Sequence, residues 1–125
     1  MSYSVEYDAQ GIIIVKIQGP MTLAEVRKLV PEVGQLVHEY QRFCVLADTL
    51  GMELKLSIVD IFYLPGMFAE LASASGFRVH QFKRAVLASQ DDRLLQFFET
   101  VSRNRAHNVK IFYEYEAARR WLLEG

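Results

Sequence analysis

The residues that could do chemistry in this chain gather in one short segment, 46–60, which reads LADTLGMELKLSIVD. Ser57 follows Asp48 by nine positions and directly precedes a strongly apolar stretch. A hydroxyl at the start of a helix accepts a backbone N–H bond as an N-cap. A phosphate on the same hydroxyl would be stabilised there by free N–H groups and the helix dipole. Ser57 is therefore first a helix cap and second a candidate phosphoacceptor.

Two further polar residues end the apolar run that comes before Ser57. Asp48 and Thr49 lie where we predict the carboxyl end of a parallel strand, and open α/β sheets bind ligands at such ends. Asp and Thr are also ordinary turn residues. Asp60 stands at capping-box spacing from Ser57. We keep Asp48, Thr49 and Asp60 as binding candidates beside these structural roles.

Four carboxylates could converge at that sheet edge and bind Mg²⁺: Asp48, Asp60, Asp91 and Asp92. The spacing is wrong for an adjacent acid pair after the first parallel strand, and capping explains three of the four. The chain also lacks a Gly-rich phosphate loop, HExxH and GxSxG. We therefore predict no metal and no cofactor. We also predict no enzymatic activity, because the sequence shows no recognisable acid–base pair or activated nucleophile.

The histidines and the cysteine are interpreted structurally. His38, His80 and His107 are far apart in sequence and lack metal-ligand spacing, so we expect them at the surface or in turns. Cys44, the single cysteine, lies between Phe43 and Val45, which predicts a buried and inert thiol.

The segment 58–74 has the most unusual composition, because nearly every side of the predicted helix is apolar. A helix that covers a sheet needs only one apolar face. We therefore expect some of these side chains to line a pocket, face a second subunit or contact a partner; a deeply buried helix pair is the alternative. Methionine and aromatic residues suit adaptable contacts. The binding candidates in this segment are Phe62, Tyr63, Met67 and Phe68.

Composition limits the class of protein. The 125 residues fit one domain, and 51% hydrophobic content rules out a disordered chain. A net charge of -1 with scattered Lys and Arg argues against a nucleic-acid partner. The N-terminus has no secretory pattern, and no apolar run reaches bilayer length. We expect a cytoplasmic protein without a transmembrane segment.

The hydrophobic pattern predicts the order β-β-α-β-α-β-α-β-α. This order indicates an α/β domain with a mixed five-stranded sheet, mostly parallel with an N-terminal antiparallel hairpin, and helices on both faces. Pro31 predicts a kinked first helix or two short ones, and Pro65 predicts a break in the second helix before Met67. The predicted strands include Phe43–Ala47, Lys83–Ser89 and Val109–Tyr113, and the last helix Glu116–Leu123 turns Trp121 inward.

The element order resembles the STAS domain, and the C-terminal half resembles the bacterial SpoIIAA-like (STAS/SEC14-like) family. The likeness is carried by the strand KRAVL at 83–87, the helix from Phe97 to Asn104, and the ending VKIF at 109–112 followed by EAARRWL at 116–122. In order and spacing the resemblance covers nearly the whole chain.

The resemblance implies a small regulatory or protein-interaction module without catalysis. We expect it to bind a protein partner, or a second copy as a homodimer, through the Asp48 edge and the apolar helices 57–75. In the anti-sigma-factor antagonists, the first serine of an Asp-Ser-Ser-Gly motif is phosphorylated. Counting from Asp48 places Ser57 at that position, whereas Leu56, Ile58 and Val59 depart from the motif. The SEC14-like side of the family implies an alternative, an apolar pocket for a lipid or similar small ligand.

Overall fold

The structure, a computed structural model, describes residues 3–124. Within that range five strands and four α-helices alternate in the predicted order. They are β1 (Tyr3–Tyr7), β2 (Ile12–Met21), α1 (Leu23–Tyr40), β3 (Cys44–Leu54), α2 (Ile58–Ala74), β4 (Lys83–Leu87), α3 (Arg93–Asn104), β5 (Asn108–Phe112) and α4 (Tyr115–Leu123), with a short 3-10 turn at Val79–Gln81 before β4.

The strands form one sheet in the order β1-β2-β3-β4-β5. β1 and β2 are antiparallel, and every other neighbouring pair is parallel. The predicted mixed sheet with an N-terminal hairpin is therefore confirmed. Asp8 fixes the hairpin turn, since its Oδ1 accepts N–H bonds from Gln10 and Ile12 at 3.0 Å each. Gly11 in this turn has a φ of +92°, which glycine adopts without strain.

The two faces of the sheet are covered unequally. Because side chains alternate along a strand, Ile13, Val15 and Ile17 face α1, α2 and α3, whereas Ile12 faces α4. α4 is the single helix among residues 3–124 on the second face, where it packs on β3, β4 and β5. Trp121 is half-buried there, with its ring centroid 5.5 Å from that of Phe112.

Pro31 and Pro65 each lie within a continuous helix. α1 runs through Pro31, so of the two predicted possibilities the pair of short helices does not occur. The predicted break at Pro65 is wrong, because α2 is one helix from Ile58 to Ala74. A proline costs a helix interior about 3 kcal/mol relative to alanine. Pro65 itself is buried with Ile61 and Leu64, and this tertiary packing holds the helix together across the lost donor.

β3 is longer than predicted and contains an irregularity. Lys16 pairs with Asp48, but Gln18 pairs with Gly51, so β3 carries one extra residue. Gly51 therefore lies in a bulged strand and not in a linker. A Cβ at Gly51 would stand 3.3 Å from Gln18 Cγ, which explains glycine at this crossing. Pairing with β4 stops at Asp48, and the rest of β3 pairs with β2 alone.

An ion pair joins the two ends of the fold. Arg119 of α4 donates to Asp8 Oδ2 at 2.7 Å, and both side chains are mostly buried. Burial alone would raise the pKa of Asp8, but the N–H bond from Ile12 and the Arg119 guanidinium hold it below its usual value. The Asp8 carboxylate therefore stabilises the fold in its ionised form.

This linkage predicts a pH-dependent effect of Asp8→Asn. At pH 7 the substitution should lower the free energy of unfolding by about 1 kcal/mol, because it removes a charge-assisted bond but keeps the turn acceptor. The stabilisation is present above the unfolded pKa of 3.8 and is lost as pH falls through the lower folded pKa. Urea unfolding of both proteins should give curves that converge below that window. A difference that stays constant down to pH 3 would contradict the assignment.

Candidate functional site

Ser57 begins α2 as its N-cap. Its Oγ accepts the Asp60 N–H at 3.1 Å, and Asp60 Oδ2 accepts the Ser57 N–H at 3.0 Å. This reciprocal pair is the capping box that the spacing predicts. It gives Asp60 a structural role, while the Ser57 side chain remains exposed to solvent.

Asp48 and Thr49 support the bulge in β3. Asp48 Oδ1 accepts the Leu50 N–H at 3.1 Å across the irregular turn of the strand. Thr49 is buried, and its hydroxyl donates to the Leu87 carbonyl at 2.8 Å, where β3 parts from β4. Asp48 therefore does not stand at a strand end as predicted, because β3 continues to Leu54.

A shallow cleft of about 410 Å³ lies between this bulge and the start of α3. Thr49, Asp91 and Asp92 contribute to its lining, and Asp92 caps α3 by accepting the Leu95 N–H at 3.0 Å. Asp60 is not part of this cleft. Within residues 3–124 no group of three or more His, Cys, Asp or Glu is placed to hold a metal ion.

α2 is apolar on two sides, and only one of them is buried. Ile61, Leu64 and Ala72 pack into the core, but a stripe at positions i, i+1, i+4 and i+5 faces solvent. We name this stripe the α2 apolar patch: Ile58, Val59, Phe62 and Tyr63, with exposed fractions of 64%, 63%, 46% and 63%.

The aromatic candidates in α2 therefore divide into two pairs. Phe62 and Tyr63 are exposed, with ring centroids 5.2 Å apart in an edge-to-face arrangement. Met67 and Phe68 are partly buried against the core, and Phe68 meets Phe98 of α3 at 5.9 Å. The Arg105 guanidinium lies 5.7 Å from the Phe62 ring centroid and adds a cation beside the α2 apolar patch.

A cavity of about 180 Å³ lies on the three-helix face of the sheet, and we name it the helix-face cavity. Phe68 lines it, but Phe62 and Met67 do not. Arg84 is the single charged residue among the described residues of its lining, and Thr49 and Ser75 are the other polar ones. The apolar lining includes Val15 and Ile17 of β2, Leu29 and Val33 of α1, Ile61 and Leu64 of α2, and Phe98 of α3.

Arg84 lies on β4, directly after Lys83, and sequence reasoning missed its position. Its Nε is fully buried and has no hydrogen-bond partner among the described residues. The guanidinium carbon stands 5.3 Å from the Phe68 ring centroid, and Nη2 is 3.5 Å from His107 Nδ1. Burial lowers the pKa of Arg84 to about 10, so it stays charged at neutral pH. The sequence did carry a signal for this. Adjacent side chains on a strand point to opposite faces, so one of the neighbours Lys83 and Arg84 had to point toward the three-helix face of the sheet.

His107 and Cys44 also differ from their predicted surroundings. His107 is 6% exposed, where a surface or turn position was expected. Burial, followed by the charge of Arg84, lowers the pKa of His107 to about 4, so the ring is neutral at pH 7. Cys44 is only partly buried, with its Sγ 3.4 Å from the Leu122 carbonyl. His38 and His80 are exposed as expected.

No helix within residues 3–124 combines the length and apolar character that crossing a membrane requires.

The strand order, the opening hairpin and the uneven helix layers define a STAS-type α/β domain. A family model described as SpoIIAA-like matches residues 12–123. The chain belongs to the SpoIIAA-like family.

Solved structures establish the same fold at low sequence identity. An anti-sigma factor antagonist from Mycobacterium paratuberculosis is 13% identical with a TM-score of 0.61, over 98% of this chain and 94% of that one. An uncharacterised DUF3478-family protein with a SpoIIAA-like fold from Shewanella loihica PV-4 is 18% identical with a TM-score of 0.59, over 97% and 92%. The Bacillus cell fate determinant SpoIIAA in its phosphorylated form is 11% identical with a TM-score of 0.54, over 96% and 99%. No curated protein matches the chain.

The capping geometry predicts the effect of removing the Ser57 hydroxyl. Ser57→Ala should lower the free energy of unfolding by about 0.5–2 kcal/mol, because the Asp60 N–H loses its acceptor. Ser57→Asp should lose less, since aspartate also serves as an N-cap. Ser73→Ala, at an exposed position in the last turn of the same helix, is the matched control and should change stability little. Equal losses for Ser57→Ala and Ser73→Ala in chemical denaturation would refute the cap.

Proposed function

We propose that this protein is a non-enzymatic regulatory module of the cytoplasm that binds a protein partner through the α2 apolar patch. The observation that carries the proposal is the exposure of four large apolar side chains on one side of a helix whose other side is already buried. Single exposed apolar residues are common, whereas a contiguous group on an ordered helix is typical of an interaction surface.

The chemistry of the patch fits a protein partner. Aromatic residues and arginine are enriched at interface centres, and Phe62, Tyr63 and Arg105 provide both kinds of side chain. Leu50, on the bulge that Asp48 supports, is 57% exposed and gives the Asp48 edge one apolar side chain. The family membership and the likeness to a solved anti-sigma factor antagonist support a regulatory role of this kind.

Ser57 is the residue at which we propose that partner binding is regulated. Its exposed hydroxyl directly precedes Ile58, the first residue of the α2 apolar patch. A phosphate there would meet the positive end of the α2 dipole, which is favourable. It would also place negative charge beside the Asp60 carboxylate, and the capping box would open. Phosphorylation would therefore change the start of α2 and the surface next to it.

The helix-face cavity favours a second candidate function, the binding of a small apolar ligand. Its volume of about 180 Å³ exceeds that of engineered apolar cavities of about 150 Å³ that bind benzene. The lining is apolar except for Arg84, Thr49 and Ser75. α2 contributes to this cavity with its inner side and to the patch with its outer side, so the two functions share one helix.

The proposed interaction predicts that aspartate substitutions in the α2 apolar patch weaken partner binding, whereas an aspartate substitution elsewhere on the surface does not. Phe62→Asp and Tyr63→Asp should weaken partner binding about tenfold or more, since a charge at the interface centre must be desolvated. Tyr113→Asp, at an exposed aromatic residue in the loop before α4, is the matched control and should bind normally. All three should keep their stability within about 0.5 kcal/mol.

The measurement is pull-down from the native host followed by titration of the purified partner against each variant. Light scattering of the same proteins reports whether the patch is occupied by a second copy, in which case Phe62→Asp converts a dimer to a monomer. Unchanged binding and unchanged assembly in both patch variants would contradict the proposal.

A further inference from the structure

A cation that has no counter-ion among residues 3–124 lines the helix-face cavity, and its side chain is partly buried. Arg84 lies on β4 on the same side as Val86, and both residues line the cavity. No carboxylate among residues 3–124 lies within 4.0 Å of its guanidinium nitrogens, since the ion pairs in this range join other residues. Its Nε is fully buried with no hydrogen-bond partner in the described chain.

The groups around Arg84 do not neutralise it. His107 is neutral at pH 7 and stands at the limit of hydrogen-bond distance from Nη2, 3.5 Å. Phe68 presents its ring 5.3 Å from the guanidinium carbon, which is an attractive but weak contact. A partly buried charge with no opposite charge beside it is a favourable place for an anion to bind.

The other residues that line the cavity indicate the chemistry of the uncharged part of the ligand. Thr49 cannot serve as a free donor there, because its hydroxyl already donates to the Leu87 carbonyl at 2.8 Å. The other lining residues apart from Ser75 and Arg84 are apolar or glycine. A ligand that fits has one anionic group and an apolar body a little larger than benzene.

We propose that the helix-face cavity binds an apolar monocarboxylate, with its tail among the α1, α2 and sheet side chains and its carboxylate on the Arg84 guanidinium. A carboxylate matches the planar fork of arginine and can accept from Nε together with a terminal nitrogen. The apolar tail separates this ligand from inorganic phosphate or acetate, which would leave the cavity unfilled. The inference rests on the second candidate function and names its ligand class.

The test uses three probes that divide the ligand into its parts. Hexanoate carries both charge and tail, 1-hexanol carries the tail alone, and acetate carries the charge alone. Titration calorimetry on the full chain should show hexanoate binding about tenfold or more tightly than 1-hexanol, and no acetate binding. In ¹H–¹⁵N spectra, hexanoate should shift the Arg84 Nε–H resonance, because that group gains its first acceptor.

Two variants and one control separate the contribution of Arg84 from that of the cavity. Arg84→Met should bind hexanoate about tenfold more weakly and 1-hexanol unchanged. Ala47→Leu, which fills part of the cavity and keeps Arg84, should weaken both probes. Arg103→Met, at an exposed position on α3, should bind as the wild type does. If Arg84→Met does not fold, Arg84→Lys replaces it, with weaker hexanoate binding expected because the fork is lost.

The results test the carboxylate assignment separately from the apolar-ligand function. Equal affinity for hexanoate and 1-hexanol, or no loss in the Arg84 variants, would overturn the carboxylate assignment and leave the apolar-ligand function standing. No binding of either probe would overturn both. Selective binding of hexanoate that depends on Arg84 and on an open cavity establishes the inference.

Discussion

The three-helix face of the sheet depends on the one extra residue in β3. Along a regular strand, alternate side chains point to the same face, so Met52 would point to the face opposite Val45 and Thr49. The shift between Asp48 and Gly51 reverses this alternation, and Val45, Thr49 and Met52 all line the helix-face cavity. The bulge is held by the bonds of Asp48 and Thr49, so these two binding candidates also have a structural role beside the cavity.

α2 contributes to both candidate binding regions, the helix-face cavity and the α2 apolar patch, because it is apolar on both sides. Its inner side, with Ile61 and Phe68, lines the cavity, and its outer side is the α2 apolar patch. In the two proposed functions, this helix would contact a ligand in the cavity with one side and a partner with the other. Ser57 at its first turn adds a third influence, since any charge placed there acts on the same helix.

Much of the fold was predictable because its signals are local. The element order follows from hydrophobic periodicity, and the cap at Ser57 from its spacing to Asp60. The break at Pro65 was predicted wrongly because local propensity was outweighed by burial, which no local pattern reports. The environments of Arg84 and His107 were missed for a related reason: the absence of a counter-ion is a property of the assembled core and not of any segment.

The strand order has a consequence for how the molecule assembles. Each strand from β2 onward pairs with the strand that precedes it in the chain, so no strand must be inserted between two others. Such connectivity keeps the contacts between neighbouring strands short in sequence. Phe98 of α3 and Val109 of β5 complete the wall of the helix-face cavity. The interior space therefore needs the C-terminal third of the chain, and residues up to β4 alone would leave one wall of the cavity missing.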